Sequence, residues 1–156
     1  ATLLGRNITM KDGCAFRLFQ EEVRAAIHTA EMMPELKTYA QELEGTLEKL
    51  QGVTAHLLTV AKEKTQEVFL ADATLYLDLF GIISIAWQWL LQAISVQKAL
   101  QNKEGLSEAD SHFYRGKMFT FRYFFGYELP KTEGLMKRLR GTDGLTVEMT
   151  ADCFSD

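Results

Sequence analysis

The chain has 156 residues, of which 47% are hydrophobic and 24% charged, and its formal net charge at pH 7 is −4. This length and composition fit one globular domain and exclude a disordered or collagen-like chain. The acidic balance argues against a nucleic-acid-binding protein, for which a basic surface is expected. The two cysteines, Cys14 and Cys153, form no CxxC pair, and the first residues contain no apolar signal core. A reduced, cytoplasmic protein is therefore expected.

The first half of the chain predicts two amphipathic helices. In residues 13–31 apolar side chains recur at helical spacing, and Pro34 follows the end of this pattern. The next pattern is a heptad spacing of leucines, which indicates close, nearly parallel or antiparallel packing of helices. These leucines are Leu36, Leu43, Leu50 and Leu57.

A chain reversal must follow this heptad pattern. An unbroken helix from Glu35 to Asn102 would be roughly 100 Å long, at about 1.5 Å per residue, which is too long for a compact domain of this size. The polar stretch 62–67 is the best place for the reversal, and Thr65 is a plausible N-cap of the helix that follows.

The segment between Asp78 and Lys98 has no charged side chain for 19 consecutive residues, which is nearly enough to cross a bilayer. Its polar and small residues recur every three or four positions, and this indicates a buried helix in a water-soluble bundle rather than a transmembrane segment. Gly81 interrupts this helix at a cost of about 1 kcal/mol relative to alanine. We interpret it as a site of close helix packing against Phe119 or Phe121. The polar face comprises Asp78, Gly81, Ser84, Gln88, Gln92 and Ser95, and the apolar face Leu79, Phe80, Ile83, Trp87, Leu90, Leu91 and Ile94.

The last part of the chain predicts a fourth helix and a short fifth one. Gly105 can end the third helix and Ser107 can cap the fourth. Pro130 interrupts the fourth helix, because the residue before a proline avoids helical angles. A short helix then runs to Arg140, and an irregular tail follows. The predicted fold class is all-α, an up-and-down four-helix bundle with a short extra C-terminal helix.

No autonomous active site is visible in the sequence. It contains no Glu-x-x-His pair of the kind found in di-iron bundles, and no GxGxxG, GxxxxGKS or GxSxG motif. A metal-binding helical enzyme would require His28, His56 and His112 to converge from three different predicted helices. Cys14 lies near a helix start but has no evident paired histidine. We therefore predict no catalytic residue and no metal site.

Acidic and basic residues are concentrated in different segments. Residues 115–140 contain seven basic side chains and two acidic ones, whereas residues 21–48 contain seven glutamates against Arg24 and Lys37. One interpretation is that the two segments lie near each other and complement across the bundle surface, where an exposed pair contributes about 0–1 kcal/mol. The alternative is that the basic segment approaches the phosphates of a partner's ligand.

Three stretches resemble the C-terminal extension found in one branch of the acyl-CoA dehydrogenases. ATLLGRN at the start of the chain looks like the A-x-D-L-x-G-R-K segment that closes the catalytic core, with Thr2 where aspartate is usual and Asn7 for lysine. YLDLFG at 76–81 is similar to the Y-L-x-L-F-G of the extension's long helix. FYRGKMFTFRYFFGYELP at 113–130 is similar to the F-Y-x-x-K-x-x-x-A-R-F-Y-x-x-x-x-L-P segment of that extension. Lys117, Arg122 and Pro130 match this segment, and Phe121 replaces its alanine.

The resemblance implies that residues 1–12 are the exit from a catalytic core and that residues 13–156 form the C-terminal helical bundle domain. It also implies that the parent protein uses FAD to oxidise an acyl-CoA. The catalytic glutamate of such enzymes lies in a motif upstream of the L-x-G-R segment, and this chain contains no such motif. No catalytic or cofactor-binding residue is therefore carried over, and acyl-CoA would be reached only through the core.

The function implied is that of an accessory domain, which packs on the core of the same polypeptide or between subunits of a homo-oligomer near the acyl-CoA site. Arg115, Lys117 and Arg122 are the residues expected to contact the core or a ligand phosphate. The alternative is a free-standing helical interaction or oligomerisation protein without catalysis.

Overall fold

The computed structural model describes residues 12–63, 66–102 and 105–141, and every regular element in these ranges is helical. The all-α prediction is thereby confirmed. The predicted irregular tail, Thr65 and nearly all of the predicted exit segment lie outside the described residues. The helices are α1 (Asp12–Glu31), α2 (Lys37–Glu63), α3 (Gln66–Gln101), α4 (Glu108–Tyr123) and α5 (Lys131–Arg140), and a π-helical turn, Phe124–Glu128, joins α4 to α5.

The heptad leucines form the central seam of the bundle, as predicted. Leu36, Leu43 and Leu50 are fully buried, and Leu57 is almost so. Leu47, at the interleaved second position, is also fully buried. Burial of a leucine side chain contributes about 1.5–3 kcal/mol relative to exposure, so this seam is a major source of stability.

Local signals lie near the helix ends that the sequence predicts. The Ser107 hydroxyl accepts a hydrogen bond of 3.0 Å from the backbone N–H of Asp110, which satisfies one of the free donors at the start of α4. Gly105 has a φ of +93°, in the left-handed region that favours glycine, but α3 already ends at Gln101, so Gly105 lies in the connection and does not itself end the helix as predicted. The reversal predicted in 62–67 is confirmed, because α2 ends at Glu63 and α3 begins at Gln66.

The fourth position of the bundle is occupied by a composite of α4, the π-helical turn and α5, which we call the C-terminal leg. Gln92 of α3 pairs with Lys117 of α4, and Asp72 near the start of α3 pairs with Arg138 of α5. The leg therefore runs antiparallel to α3 along most of its length. The four legs of the bundle are α1, α2, α3 and the C-terminal leg, and their antiparallel order is the predicted up-and-down arrangement.

A break between α4 and α5 is found at Pro130 as predicted, but the predicted reason is wrong, because Leu129 keeps helical angles, with φ −58° and ψ −40°. Proline has no N–H with which to continue the ladder of α-helical hydrogen bonds. The Leu129 N–H donates to the Phe124 carbonyl at 2.9 Å, five residues back, which is the π-helical pattern. The buried Thr132 hydroxyl finds its partner in the Leu129 carbonyl, to which it donates at 2.6 Å.

The four legs are not arranged as a closed square. α1 packs on α2 and α3, and the C-terminal leg also packs on α2 and α3. Within the described part of the chain, α1 and the C-terminal leg share no extensive contact. The pair α2 and α3 therefore lies between them, and α1 and α4 are on opposite sides of the molecule.

The apolar segment of α3 lies at the centre of this arrangement. By length and composition alone, Asp72–Gln101 could cross a membrane. One side of the helix is nevertheless buried by the other helices, and the predicted polar positions lie mostly towards its outer side. Leu91, which the sequence assigned to the apolar face, is an exception and is exposed. The buried residues of this part of α3 are Asp72, Ala73, Tyr76, Leu79, Ile83, Ala86, Leu90, Ala93, Ile94 and Val96.

The prediction that Gly81 packs closely against Phe119 or Phe121 is wrong. A Cβ added to Gly81 would meet no atom within 4 Å, and Phe119 is exposed on the outer side of α4. The antiparallel register places α5 rather than α4 beside Gly81. Lys131 and Gly134 of α5 line the same groove as Gly81. Gly81 therefore lines an open groove.

Gly81→Ala should stabilise the chain, because alanine restricts the unfolded backbone and meets no steric obstacle in the folded helix. We expect the free energy of unfolding in urea to rise by about 0.5–1 kcal/mol. Gly105→Ala is the matched control and should lower it by about 1–2 kcal/mol, because alanine is strained at this left-handed position. A loss of stability in Gly81→Ala would restore the close-packing interpretation.

Candidate functional site

The three basic residues expected to form a site lie on two different faces of α4. Lys117 faces α3, where its Nζ donates a hydrogen bond of 3.0 Å to the Gln92 Oε1. The same ammonium lies 5.8 Å from the ring centroid of Trp89 and 5.5 Å from that of Phe113, within range of cation–π attraction. Lys117 therefore joins α4 to α3, and its ammonium group is less available to a core or a ligand phosphate than that of an exposed lysine.

Arg115 and Arg122 lie on the solvent side of α4 with three exposed aromatic residues. The guanidinium of Arg122 lies 4.9 Å from the ring centroid of Phe119, and the rings of Tyr123 and Tyr127 stack at 5.0 Å. We call this surface the α4 outer face. Its members are Arg115, Phe119, Arg122, Tyr123 and Tyr127.

An acidic seam, formed by Glu31, Glu44 and Glu48, lies between α1 and α2. A side-chain hydrogen bond with Glu31 raises the pKa of the Glu44 carboxyl above its usual range, and partial burial and the charges of Glu31 and Glu48 add to this effect. Arg24 opposes it. The carboxylates are therefore close enough to repel one another.

The interpretation that the acidic and basic segments pair across the surface of one molecule is wrong for the described side chains. The ion pairs in this part of the chain join Lys131 to Glu128 and Arg138 to Asp72. Neither connects residues 21–48 to residues 115–140. The two segments do lie near each other, because Tyr39 of α2 packs on Phe121 and Phe125, but this contact is apolar and not ionic.

A buried ion pair that sequence analysis missed joins α5 to α3. The Arg138 Nη2 lies 2.9 Å from the Asp72 Oδ1; the Asp72 side chain is 1% exposed and that of Arg138 34%. The Asp72 Oδ2 has no hydrogen-bond partner among the described residues, so Arg138 is its main compensation. The sequence does contain one signal for this pair, which is the position of Asp72 at the edge of a long apolar segment. A carboxylate that is buried there requires a partner of opposite charge.

An open groove of about 680 Å³ separates the first half of α3 from α5. Leu77 and Ile85 are each about half exposed in it, and Leu135 lies at its edge. Gly81 and Gly134 leave space between them because neither carries a side chain. We call this surface the α3–α5 groove.

The described residues do not bring catalytic or metal-binding groups together. No group of three His, Cys, Asp or Glu side chains in this part of the chain could hold a metal ion. His28, His56 and His112 lie on α1, α2 and α4. The side chain of Cys14 and the whole of Cys153 lie outside the described residues. The buried polar side chains are Gln20, Asp72 and Thr132, on three different helices, and they do not supply the set of donors that a flavin ring would need. We therefore assign no step to FAD in this bundle.

A family model described as acetyl-CoA dehydrogenase C-terminal like matches residues 19–150. The chain belongs to this family. The matched range includes most of α1 and all of α2 to α5. Two of the three stretches that carry the resemblance, at 76–81 and 113–130, lie inside it, and the first, at 1–7, lies outside it. No curated protein and no solved structure matches the chain.

The prominent features of this acetyl-CoA dehydrogenase C-terminal-like domain are surfaces rather than an enclosed site. They are the α4 outer face, the acidic seam and the α3–α5 groove. Each of these surfaces is suited to contact with another protein surface.

Arg138→Ala should destabilise the domain, because it leaves the Asp72 carboxylate buried without its counter-ion. The expected loss is about 3 kcal/mol, at the lower end of the range for breaking a buried pair, since the guanidinium is partly exposed. The measurement is urea unfolding followed by circular dichroism. Arg140→Ala, an exposed change on the same helix, should alter stability by less than about 0.5 kcal/mol. Equal effects of the two changes would show that the ion pair contributes nothing specific.

Glu44→Gln should stabilise the domain at neutral pH more than in acid. The pKa of Glu44 is raised in the folded state, so its favourable contribution is present below the unfolded value of 4.5 and is lost as the pH rises through the folded value. Removing the charge therefore helps most near pH 7 and least near pH 4. Urea unfolding at both pH values measures this difference. Glu21→Gln, an exposed change outside the seam, is the control, and an identical pH dependence in the two variants would contradict the prediction.

Proposed function

We propose that the chain is an accessory domain of a flavin-dependent acyl-CoA dehydrogenase, which packs on the catalytic core of the same polypeptide or between its subunits near the acyl-CoA site. The family match over residues 19–150 is the observation that carries this proposal. The core would hold FAD and the catalytic base, and the bundle would contribute shape and contact surface. A cytoplasmic homo-oligomer is part of the proposal.

The α3–α5 groove is the surface that we assign to the core. Phe19 of α1 lies 4.6 Å from Phe80 and 5.8 Å from Trp87, measured between ring centroids, so the early turns of α1 lie beside the first half of α3. The same half of α3 carries Leu77 and Ile85. A catalytic domain that precedes α1 would reach the same end of the bundle as the groove but on the other side of α3, so it would extend around α3 to cover these two side chains with its apolar surface.

The expectation that Arg115, Lys117 and Arg122 contact the core or a ligand phosphate stays a prediction. Lys117 already contacts Gln92 and two aromatic rings, so such contacts depend mainly on the two arginines. The free-standing interaction protein remains the second candidate. The observation in its favour is the exposed aromatic surface of α4 and the following turn, where Phe119, Tyr123 and Tyr127 are available for a protein contact.

The size of the native polypeptide separates these two candidates. An antibody raised against this chain should detect, in extracts of the source cells, a polypeptide several times larger than 156 residues. A band at the size of this chain alone would contradict the accessory-domain proposal and favour the interaction protein.

Docking through the groove can be tested in the native polypeptide by cleaving it just before α1 with a protease. The two fragments should stay together on a sizing column, whereas in the variant Leu77→Glu, Ile85→Glu they should separate. Each change places a charge at a site that would become buried, so affinity should fall about tenfold or more. Leu18→Glu, at an exposed leucine of α1, is the matched control and should leave the fragments associated. Co-elution of the groove variant would exclude the groove as the docking surface.

A further inference from the structure

The α4 outer face is a basic and aromatic surface on an acidic protein. Residues 111–127 contain Arg115, Lys117 and Arg122 and no acidic residue, although the chain as a whole has a net charge of −4. Three aromatic side chains on this face are largely exposed: Phe119 by 66%, Tyr123 by 53% and Tyr127 by 68%. Exposed tyrosine, phenylalanine and arginine side chains are enriched in protein–protein interfaces, where they often contribute most of the affinity.

The arrangement of these side chains is suited to an acidic protein partner. Stacking of the Arg122 guanidinium on Phe119 orients the cation without neutralising its charge. The nearby pair of stacked tyrosines adds exposed ring surface, and the Tyr123 hydroxyl donates to the Glu128 carboxylate at 3.4 Å, at the edge of this face. Neither Arg115 nor Arg122 has an ion-pair partner among the described residues.

The acidic seam has the complementary charge. Residues 21–48 contain seven glutamates against Arg24 and Lys37, and of the seam residues Glu48 is exposed and Glu31 and Glu44 are partly exposed. Arg24 of α1 donates a hydrogen bond of 3.4 Å to the Gln51 side chain on α2, where the two helices meet. The seam therefore keeps an excess of negative charge, which a partner's cations could neutralise.

Within one molecule, no ion pair among the described residues joins these two surfaces. The seam lies where α2 meets α1, and the α4 outer face is turned to solvent, so both are open to a second molecule. We propose that the α4 outer face of one copy of this chain binds the acidic seam of a second copy. This contact goes beyond the proposed docking on a catalytic core, and it leaves the α3–α5 groove free for that core.

The proposed contact joins two different surfaces, so it is heterologous. In a pair, one copy keeps an unused acidic seam and the other an unused α4 outer face. Further copies can therefore bind at both ends until a ring closes. Because exposed charges carry the contact, association should weaken as salt shortens the range of electrostatic attraction, from roughly 30 Å at 0.01 M to 3 Å at 1 M. Association through the apolar groove would persist at high salt, which distinguishes the two modes.

Sedimentation velocity of the 156-residue chain, at about 20 mM and about 500 mM salt, tests the contact. The chain should self-associate at low salt and dissociate at high salt. We compare a basic-face variant, Arg115→Glu, Arg122→Glu, with a seam variant, Glu44→Lys, Glu48→Lys. At low salt the affinity of each for itself should fall by at least roughly tenfold, because like charges then face each other. All four positions lie at least partly at the surface, so both variants should keep the helical circular dichroism of the parent chain.

Mixing the two variants is the decisive step. The reversed seam of one variant complements the reversed α4 outer face of the other, so the mixture should associate again at low salt. Lys137→Glu, Arg140→Glu is the matched control: it changes the net charge as much as the basic-face variant does, but on α5, and it should associate like the parent chain.

Four results would overturn the proposal. These are a parent chain that is monomeric at low salt, association that survives in the basic-face variant, equal loss in the α5 control, and a mixture that stays monomeric. A monomeric parent would leave the α4 outer face to the catalytic core or to a ligand phosphate. None of these results bears on docking through the α3–α5 groove, which is tested in the full polypeptide.

Discussion

The burial of α3 is the constraint on which the rest of this structure depends. Its central turns are so apolar that they require cover, and every other helix packs directly on it. α1 covers it through Phe19, which contacts Phe80 and Trp87, and α2 through the leucine seam. The C-terminal leg follows it in the opposite direction. This cover is incomplete, and the uncovered part at Leu77 and Ile85 is the apolar surface of the α3–α5 groove.

The path of the C-terminal leg determines which surfaces exist. Phe121 and Phe125 pack on Tyr39, with ring centroids 4.8 and 5.7 Å away, and hold the end of α4 on α2. Leu129 and Pro130 keep helical backbone angles, and α5 continues along α3 as far as Asp72. The side of α4 away from α2 and α3 is exposed as the α4 outer face, while α5 forms one wall of the groove.

Membership of the acetyl-CoA dehydrogenase C-terminal-like family gives these surfaces a context. A bundle without a catalytic cluster in its described part can still affect an enzyme by holding domains or subunits in place. An apolar groove and two charged faces of opposite sign are the kinds of surface that such a role requires. Their separation on the bundle allows more than one contact at once, because a partner at the groove does not cover the acidic seam.

The sequence by itself determined the all-α fold, the leucine seam, the buried side of α3, the Ser107 cap and the family resemblance. These features depend on periodicity or on residues within a few positions of one another, and such signals are local. The structure decided which helices touch. It placed Lys117 against α3 and apart from the two arginines, set Gly81 opposite α5, paired Asp72 with Arg138 and joined the acidic and basic segments through aromatic rings and not through ion pairs. Such relations join residues distant in the sequence, and they follow from the way in which the C-terminal leg packs on α2 and α3, which no local pattern encodes.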